Sequence, residues 1–374
     1  MIYFDNAATS LIKPISVKNA VMIALDKFTA NPGRSGHRPS ILAGEMVYET
    51  REILKKFFNA PEHEVVFTKN CTEALNLGLT GVLKAGDQVI TSCYEHNSVL
   101  RPLHALEKTG VEVEILDCNL SAFHDELPKH IKQNTKMIVV TGMSNVTGES
   151  PNLKAIGEIA KKHNIIFMVD GAQSSGHLVI DLQNNNIDMY AFAGHKGLYA
   201  ITGVGGLIVN KNLRLTPILA GGTGTESEKL DQPTDLPEGQ EAGTLPSIPI
   251  ASLRAGVEFL TKNFDSIQNI ENELSCYMFE QLSHLKGVNL YSSPKSKIVF
   301  SFNIEGLGCS DVATILDNKY GICVRSGLHC APLIHKKLGT IKTGAVRASI
   351  DFFNTKQEID RFIKAVKGIQ LTYC

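Results

Sequence analysis

The chain has 374 residues, of which 43% are hydrophobic and 20% charged, and its formal net charge is −1. This balance suits a globular protein with a sizeable core, and it supplies no field that would recruit nucleic acid or an anionic membrane. No apolar run reaches the ~18–20 residues of a bilayer span, and Met1-Ile2-Tyr3-Phe4-Asp5 has neither the basic nor the apolar region of a secretory signal, so a cytoplasmic protein is expected.

In chain order, strands are predicted at 64–68, 87–91, 111–116, 136–141, 165–170, 189–193 and 204–209, with amphipathic helical stretches at 72–83, 99–109 and 153–163 between them. Strands alternating with helices indicate an α/β fold with a mostly parallel central sheet. Ile165-Ile166-Phe167-Met168-Val169 and Met137-Ile138-Val139-Val140-Thr141 are apolar without alternation, as strands covered on both faces are. From 221 to 249 the pattern lapses into Gly, Pro, Thr and Glu, and a long irregular loop inside a compact chain is usually functional. A long helix is predicted over 250–285. A smaller α+β unit follows, with strands near 299–304, 321–324 and 344–349 and a last helix near 356–370.

Eight cysteines stand at 71, 93, 118, 276, 309, 323, 330 and 374, none in a Cys-x-x-Cys pair. In a chain of this length without a secretory signal they read as reduced thiols, and neither a disulfide framework nor a structural zinc site is expected. Cys374 reads as a tail residue.

Ligands of such sheets bind beyond the carboxyl ends of the strands. Four polar clusters fall there: Asp170-Gly171-Ala172-Gln173, Gly194-His195-Lys196, Ser144-Asn145-Val146-Thr147-Gly148, and the start of the helix at Cys71-Thr72-Glu73. Taken singly, an Asp after a strand is most often a turn residue and a Lys there is most often solvated. Together they suit pyridoxal phosphate, which needs a lysine amine for its Schiff base and an anion for its pyridinium nitrogen. Lys196 and Asp170 fit those two roles. The phosphate needs N–H groups at a helix N-terminus, which Cys71, Thr72 and Glu73 offer, with Thr72 as the expected N-cap.

The pieces Tyr3-Phe4-Asp5-Asn6-Ala7-Ala8, Asn31-Pro32-Gly33-Arg34, Cys71-Thr72-Glu73-Ala74, Glu95-His96-Asn97-Ser98, Ser144-Asn145-Val146-Thr147-Gly148, Asp170-Gly171-Ala172-Gln173, Gly194-His195-Lys196, Glu241-Ala242-Gly243-Thr244 and Arg325-Ser326-Gly327-Leu328-His329-Cys330-Ala331 together resemble the class V aminotransferase family, and within it the cysteine desulfurases. The short cysteine loop resembles that of the group II, selenocysteine lyase-related branch.

The resemblance implies the aspartate aminotransferase-like fold of pyridoxal phosphate enzymes (fold type I). It implies a large cofactor-binding domain over 15–255 and a small domain built from 1–14 and 256–374 that carries the cysteine loop. It implies that Lys196 holds the cofactor and moves the substrate α-proton. Asp170 pairs with the pyridine nitrogen, Gln173 bonds the phenolic oxygen and His96 stacks on the ring. Thr72, His195 and, from a neighbouring subunit, Thr244 cup the phosphate. Asn145 and Arg347 hold the substrate carboxylate, the planar guanidinium suiting that task, and Arg325 either joins them or braces the cysteine loop. Cys330 takes sulfur from L-cysteine as a persulfide, leaving L-alanine. Cationic neighbours favour the thiolate form of a cysteine, and His329 and Arg325 are the expected cations.

A homodimer and a sulfur-acceptor protein are also implied. The family's phosphate cup usually has a serine where Ala193 stands here, and Thr223 or another residue of Gly221-Gly222-Thr223-Gly224-Thr225 is the expected substitute. Selenocysteine lyase chemistry would use the same residues. A transaminase or carbon–sulfur lyase would not need Cys330, and a cofactor-binding scaffold that has lost activity would not need Lys196, Asp170, His96, Cys330 and Arg347 all intact.

Overall fold

The computed structural model describes residues 1–373; Cys374, read from the sequence as a tail residue, lies outside them. In chain order the strands are β1 (Ile2–Tyr3), β2 (His63–Thr68), β3 (Gln88–Ser92), β4 (Glu112–Leu116), β5 (Thr135–Thr141), β6 (Ile166–Asp170), β7 (Met189–Ala193), β8 (Gly205–Asn210), β9 (Val288–Leu290), β10 (Val299–Ile304), β11 (Ile322–Cys323), β12 (Arg325–Gly327) and β13 (Ala345–Ser349).

Seven of these form one sheet in the order β2-β8-β7-β6-β5-β3-β4. β8 runs antiparallel to both neighbours, and every other pairing is parallel. The carboxyl ends of β2, β3, β5, β6 and β7 therefore lie along one edge. The expected strands appear within one or two residues of their predicted bounds, and so do the helices Cys71–Val82, Asn97–Glu107 and Leu153–Lys162.

The unalternating strands are buried on both faces. Ile138, Val140, Phe167 and Val169 pack into one apolar cluster, with Val47 and Leu54 of the helix Arg38–Phe57. Met137, Val139 and Met168 pack into another, against Leu75 and Leu79 of the helix Cys71–Val82. That helix is brought close to the sheet beside β8. A Cβ on Gly205 would lie 2.6 Å from the Asn70 carbonyl carbon, so only glycine lets the turn before the helix approach.

The second sheet, β12-β13-β10-β9, is wholly antiparallel. Its core gathers Phe300, Phe302 and Val346 with Phe362 and Ile369 of the last helix, and with Ile2 and Phe4 from the N-terminus. The N-terminal segment pairs through β1 with β11 and bridges to β13 at Asp5 and Ser349. One helix of 37 residues, Ser247–Ser283, runs beside both cores: Ile250 to Ile267 pack with the large sheet's cluster and Leu274 to Leu282 with the small one. The stretch 221–246 is irregular apart from a single turn at Glu238–Gln240, and 247–249 already belong to the long helix. No helix among the described residues is long and apolar enough to cross a membrane.

Candidate active site

The strand ends meet around a pocket that opens to solvent at its mouth. Eight of the twelve residues singled out in the sequence line it: Cys71, Thr72, His96, Asn145, Asp170, Gln173, His195 and Lys196. Thr244, Arg325, Cys330 and Arg347 do not.

Asp170 ends β6 and is almost fully buried. Its Oδ1 accepts from the Ala172 N–H at 2.9 Å and from the Cys71 thiol at 3.5 Å. Burial, reinforced by the Asp170 charge, pushes the Cys71 thiol well above its ordinary pKa, so Cys71 remains a proton donor to the carboxylate. Lys196 follows the end of β7. Burial lowers its pKa, with the Asp170 charge opposing, and this moves the amine toward its neutral, nucleophilic form.

The turn carrying Lys196 is clamped by the N-terminal segment. The His195 carbonyl receives the Ser10 N–H at 3.2 Å, with the Thr9 and Ser10 hydroxyls and the Lys13 amine each at 3.1 Å. The His195 ring is held down to about pKa 4, by burial first and then by Lys196 and Lys13. It therefore offers a hydrogen bond near neutrality and not a charge. Gln173 donates through Nε2 to the Ala7 carbonyl at 2.9 Å.

The helix that follows β2 is capped by Asn70, whose Oδ1 accepts from the Glu73 N–H at 3.0 Å. The expectation of Thr72 as N-cap is corrected: Thr72 sits at the second helical position, because the non-helical backbone that a cap needs occurs at Asn70. Glu73 spends its N–H on that cap, which leaves Cys71 and Thr72 as the backbone donors for an anion. The Thr72 hydroxyl lies 2.8 Å from the Ser98 hydroxyl. His96 in turn caps the helix Asn97–Glu107, its Nδ1 accepting from the Ser98 N–H at 3.0 Å and lying 2.9 Å from Ser98 Oγ. Burial lowers the His96 pKa.

Arg347, on β13, is not a surface residue: it is 1% exposed. Its guanidinium meets Asp5 Oδ1 at 2.9 Å and the Asn145 carbonyl at 3.2 Å, while its Nε has no partner among the described residues. Asn145, whose side chain lines the pocket, donates through Nδ2 to the His329 carbonyl at 2.7 Å.

That bond ties the cysteine loop to the pocket wall, and a second tie runs from the Asn97 N–H to the Cys330 carbonyl at 2.7 Å. Cys330 itself is exposed, with φ of 57° after a φ of 49° at His329; two successive side-chain-bearing residues in the left-handed region persist only where surroundings impose them. The expectation of two cations beside this thiol is corrected. His329 is buried, its Nε2 faces the Ala345 carbonyl at 3.1 Å and so carries the proton, and burial first, then Arg347, holds its pKa down to about 2. It is a neutral brace. Arg325 is the cation, its guanidinium 3.9 Å from Cys330 Sγ.

Thr244 is exposed, in a groove with Phe67 and Lys69. Thr223, expected to replace the hydroxyl missing at Ala193, bonds to Thr225 in a separate groove beside Arg34 and does not reach this chain's pocket. The hydroxyl that sequence reasoning overlooked is Ser98, which lines the pocket. Its signal was present in Glu95-His96-Asn97-Ser98: a polar residue in the first helical turn after a strand's carboxyl end.

A profile described as "Aminotransferase class-V" matches residues 2–362. A protein of Pyrococcus abyssi called probable cysteine desulfurase is 37% identical, the alignment covering 99% of this chain and 94% of that protein. A namesake from Methanothermobacter thermautotrophicus is 33% identical, with 96% and 92% covered. Among solved structures, the apo cysteine desulfurase of Thermococcus onnurineus NA1 superposes with a TM-score of 0.92 at 36% identity, with 99% and 94% covered. The cysteine desulfurase CsdA of Escherichia coli, in an S-sulfonic acid form, superposes with a TM-score of 0.88 at 30% identity, with 100% and 95% covered. The expected fold type is borne out by these likenesses.

Proposed function

Because this chain belongs to the aminotransferase class-V family, we propose that it is a pyridoxal phosphate-dependent cysteine desulfurase, converting L-cysteine to L-alanine and leaving the sulfur on Cys330 as a persulfide. One observation carries the reading: an amine, a carboxylate and a helix N-terminus converge on one pocket, and a thiol loop is pinned to its wall. That donor set fits pyridoxal phosphate. Lys196 would hold it, Asp170 would face its ring nitrogen and Gln173 its phenolic oxygen. His96 would cover the ring, and Cys71, Thr72 and His195 would receive its phosphate. Bound there, the cofactor would supply an electron sink for the substrate's α-carbon.

The rest of the work falls to the chain. Lys196, with its lowered pKa, takes and returns the proton at the α-carbon. Arg347, with Asn145, orients the substrate carboxylate, and Arg325 steadies the Cys330 thiol. Cys330 Sγ forms the new S–S bond as the substrate's C–S bond breaks; the electron pair left on carbon takes up a proton, so cysteine and a thiol become alanine and a persulfide.

Thr244, exposed and not lining this chain's own pocket, is read as serving the phosphate cup of a second copy in a homodimer. The exposed apolar residues Ile15, Met22 and Leu25 on one N-terminal helix support such pairing. We read 15–255 as the large domain and 1–14 with 256–374 as the small one, supported by the packing of Ile2 and Phe4 with Phe362. A sulfur-acceptor protein at the exposed Cys330 and a cytoplasmic location complete the proposal.

The test is to incubate the protein with pyridoxal phosphate, L-cysteine and a reductant, with Cys330→Ala in parallel. Equal amounts of alanine and sulfide, lost in the variant while the visible absorbance of the lysine-bound cofactor persists, are expected. Pyruvate with sulfide, unaffected by the variant, would replace this reading with a carbon–sulfur lyase.

A further inference from the structure

Ser98 stands between the phosphate end of the pocket and the ring of His96, and proton counting there has only one consistent solution. The backbone N–H of Ser98 lies 3.0 Å from His96 Nδ1. A backbone N–H only donates, so Nδ1 is the bare nitrogen and the proton of the neutral ring is on Nε2. Ser98 Oγ lies 2.9 Å from the same Nδ1 and 2.8 Å from Thr72 Oγ1. For both short contacts to be hydrogen bonds, Ser98 must give its one proton to His96 and Thr72 must give its one proton to Ser98. In that state the Thr72 hydroxyl has nothing left to donate. The ionised oxygens of a phosphate only accept, so an ionised phosphate oxygen received by Thr72 forces that proton outward. Ser98 Oγ, having lost its donor, then turns its own proton to Thr72 Oγ1 and releases His96 Nδ1.

We propose that Ser98 is a positioning residue whose hydroxyl relays occupancy of the phosphate cup to His96, switching between His96 Nδ1 when the cup is empty and Thr72 Oγ1 when it is filled. The inference rests on the cofactor reading above and deepens it. Ala193, which also lines the pocket, has no hydroxyl to share this work, and His195 and Lys196 supply their donors from the turn after β7 without touching the relay. The consequence falls on the ring. A bare Nδ1 relieved of a hydroxyl donor is the more basic one, because that hydrogen bond favours the neutral imidazole. His96 therefore gains basicity when the cup fills, beyond the Coulombic effect of the anion itself. The charges that face His96 are Asp170, Lys196, Arg325 and Arg347, and all of them stay in place when Ser98 is changed.

The experiment uses cofactor-free protein, inorganic phosphate and pyridoxal phosphate, comparing wild type with Ser98→Ala and Ser98→Thr. Calorimetry gives the two affinities, and nitrogen NMR of labelled histidine gives the state of His96 Nδ1 and its titration with and without phosphate. In wild type, phosphate is expected to move the His96 titration upward. In Ser98→Ala that movement shrinks by about half a pH unit, the equivalent of one ordinary hydrogen bond, and phosphate affinity rises about three- to tenfold, because Thr72 is then free to donate with no Ser98–His96 bond to give up. Ser98→Thr, which keeps the hydroxyl, restores both. Equal affinities and equal His96 responses in wild type and Ser98→Ala would overturn the relay while leaving the cofactor reading intact. A wild-type protein that binds neither phosphate nor pyridoxal phosphate would overturn both. Should Ser98→Ala fail to fold, Ser98→Thr and Ser98→Val, near-isosteric and differing in the hydroxyl, make the same comparison.

Discussion

Replacing Glu241 by alanine tests why the Glu241-Ala242-Gly243-Thr244 segment is built as it is. Glu241 holds Arg51 through both oxygens, at 2.9 and 2.6 Å, and accepts the Phe67 N–H at 2.6 Å. The two side chains are 4% and 10% exposed, and the Arg51 guanidinium lies 4.7 Å from the centre of the Phe67 ring. The Glu241 pKa is raised: burial outweighs Arg51 and the Phe67 N–H, which both lower it. A carboxyl whose folded pKa is raised stabilises the fold below its unfolded pKa and loses that contribution as pH rises through the folded value. At neutral pH the pair thus fixes position more than it adds stability.

Removing one partner is different, because it strands the guanidinium. Breaking a buried pair costs about 3–5 kcal/mol. An unfolding entropy of about 2.1 cal/mol/K per residue over 374 residues gives about 0.8 kcal/mol per kelvin. Glu241→Ala should therefore lower the calorimetric midpoint by about 4–6 °C. Arg51→Met combined with Glu241→Leu should recover most of that loss, since an apolar pair of similar volume avoids the stranded charge. A midpoint within about 1 °C of wild type for Glu241→Ala, or a double variant no better than the single one, would refute the reasoning. Cofactor retention should fall in the double variant even as stability returns, because Glu241 also fixes the backbone that presents Thr244.

Glu95 is fully buried, its pKa pushed up to about 8 by burial against the hydrogen bonds from Ser92 and Thr141. Between its unfolded value of 4.5 and about 8 the native state holds the extra proton, so this group's contribution declines as pH rises, by roughly 1.4 kcal/mol per unit at most. Glu95→Gln should remove that decline and gain on wild type from pH 5 to 8 in denaturant titrations; parallel profiles would refute it. Asn70→Ala should cost about 1 kcal/mol through the lost cap. Asn70→Asp should keep the stability and weaken phosphate binding by charge repulsion, and unchanged phosphate affinity would count against the helix N-terminus as the anion seat. His329→Asn should lower alanine formation about a hundredfold, as loss of orientation does, with pyridoxal phosphate affinity unchanged. A full rate would show that the left-handed turn at Cys330 does not need its brace.

The sequence carried the sheet well because its signals are local. Strands such as Met189–Ala193 are continuous apolar runs, and burial on both faces is their direct physical cause. The helix Ile15–Lys27 was not legible: it exposes Ile15, Met22, Ile23 and Leu25, so its apolar residues do not trace one stripe, and a helix apolar on more than one side looks like noise to a periodicity argument. The reversed direction of β8 was illegible too, since strand polarity leaves no trace in composition. The cap was misplaced from Asn70 to Thr72 because both residues are good caps and only the backbone distinguishes them.

The site divides along the same line. Residue identities at strand ends, Asp170 and Lys196 above all, announce their chemistry because few combinations of carboxylate and amine have another joint use at a sheet edge. What a side chain does through a neighbour is invisible until the neighbour is placed. His329 next to Cys330 in sequence suggests a cation beside a thiol; in space its ring turns inward to the Ala345 carbonyl and is held neutral. The thiol's cation arrives from Arg325 on β12, and its fixed position comes from bonds that the loop's carbonyls accept from the Asn97 N–H and the Asn145 side chain. Those two asparagines belong to the segments that carry His96 and meet Arg347. The same connections that pin the cysteine loop therefore pin the walls of the pocket, and a displacement at either is felt at the other.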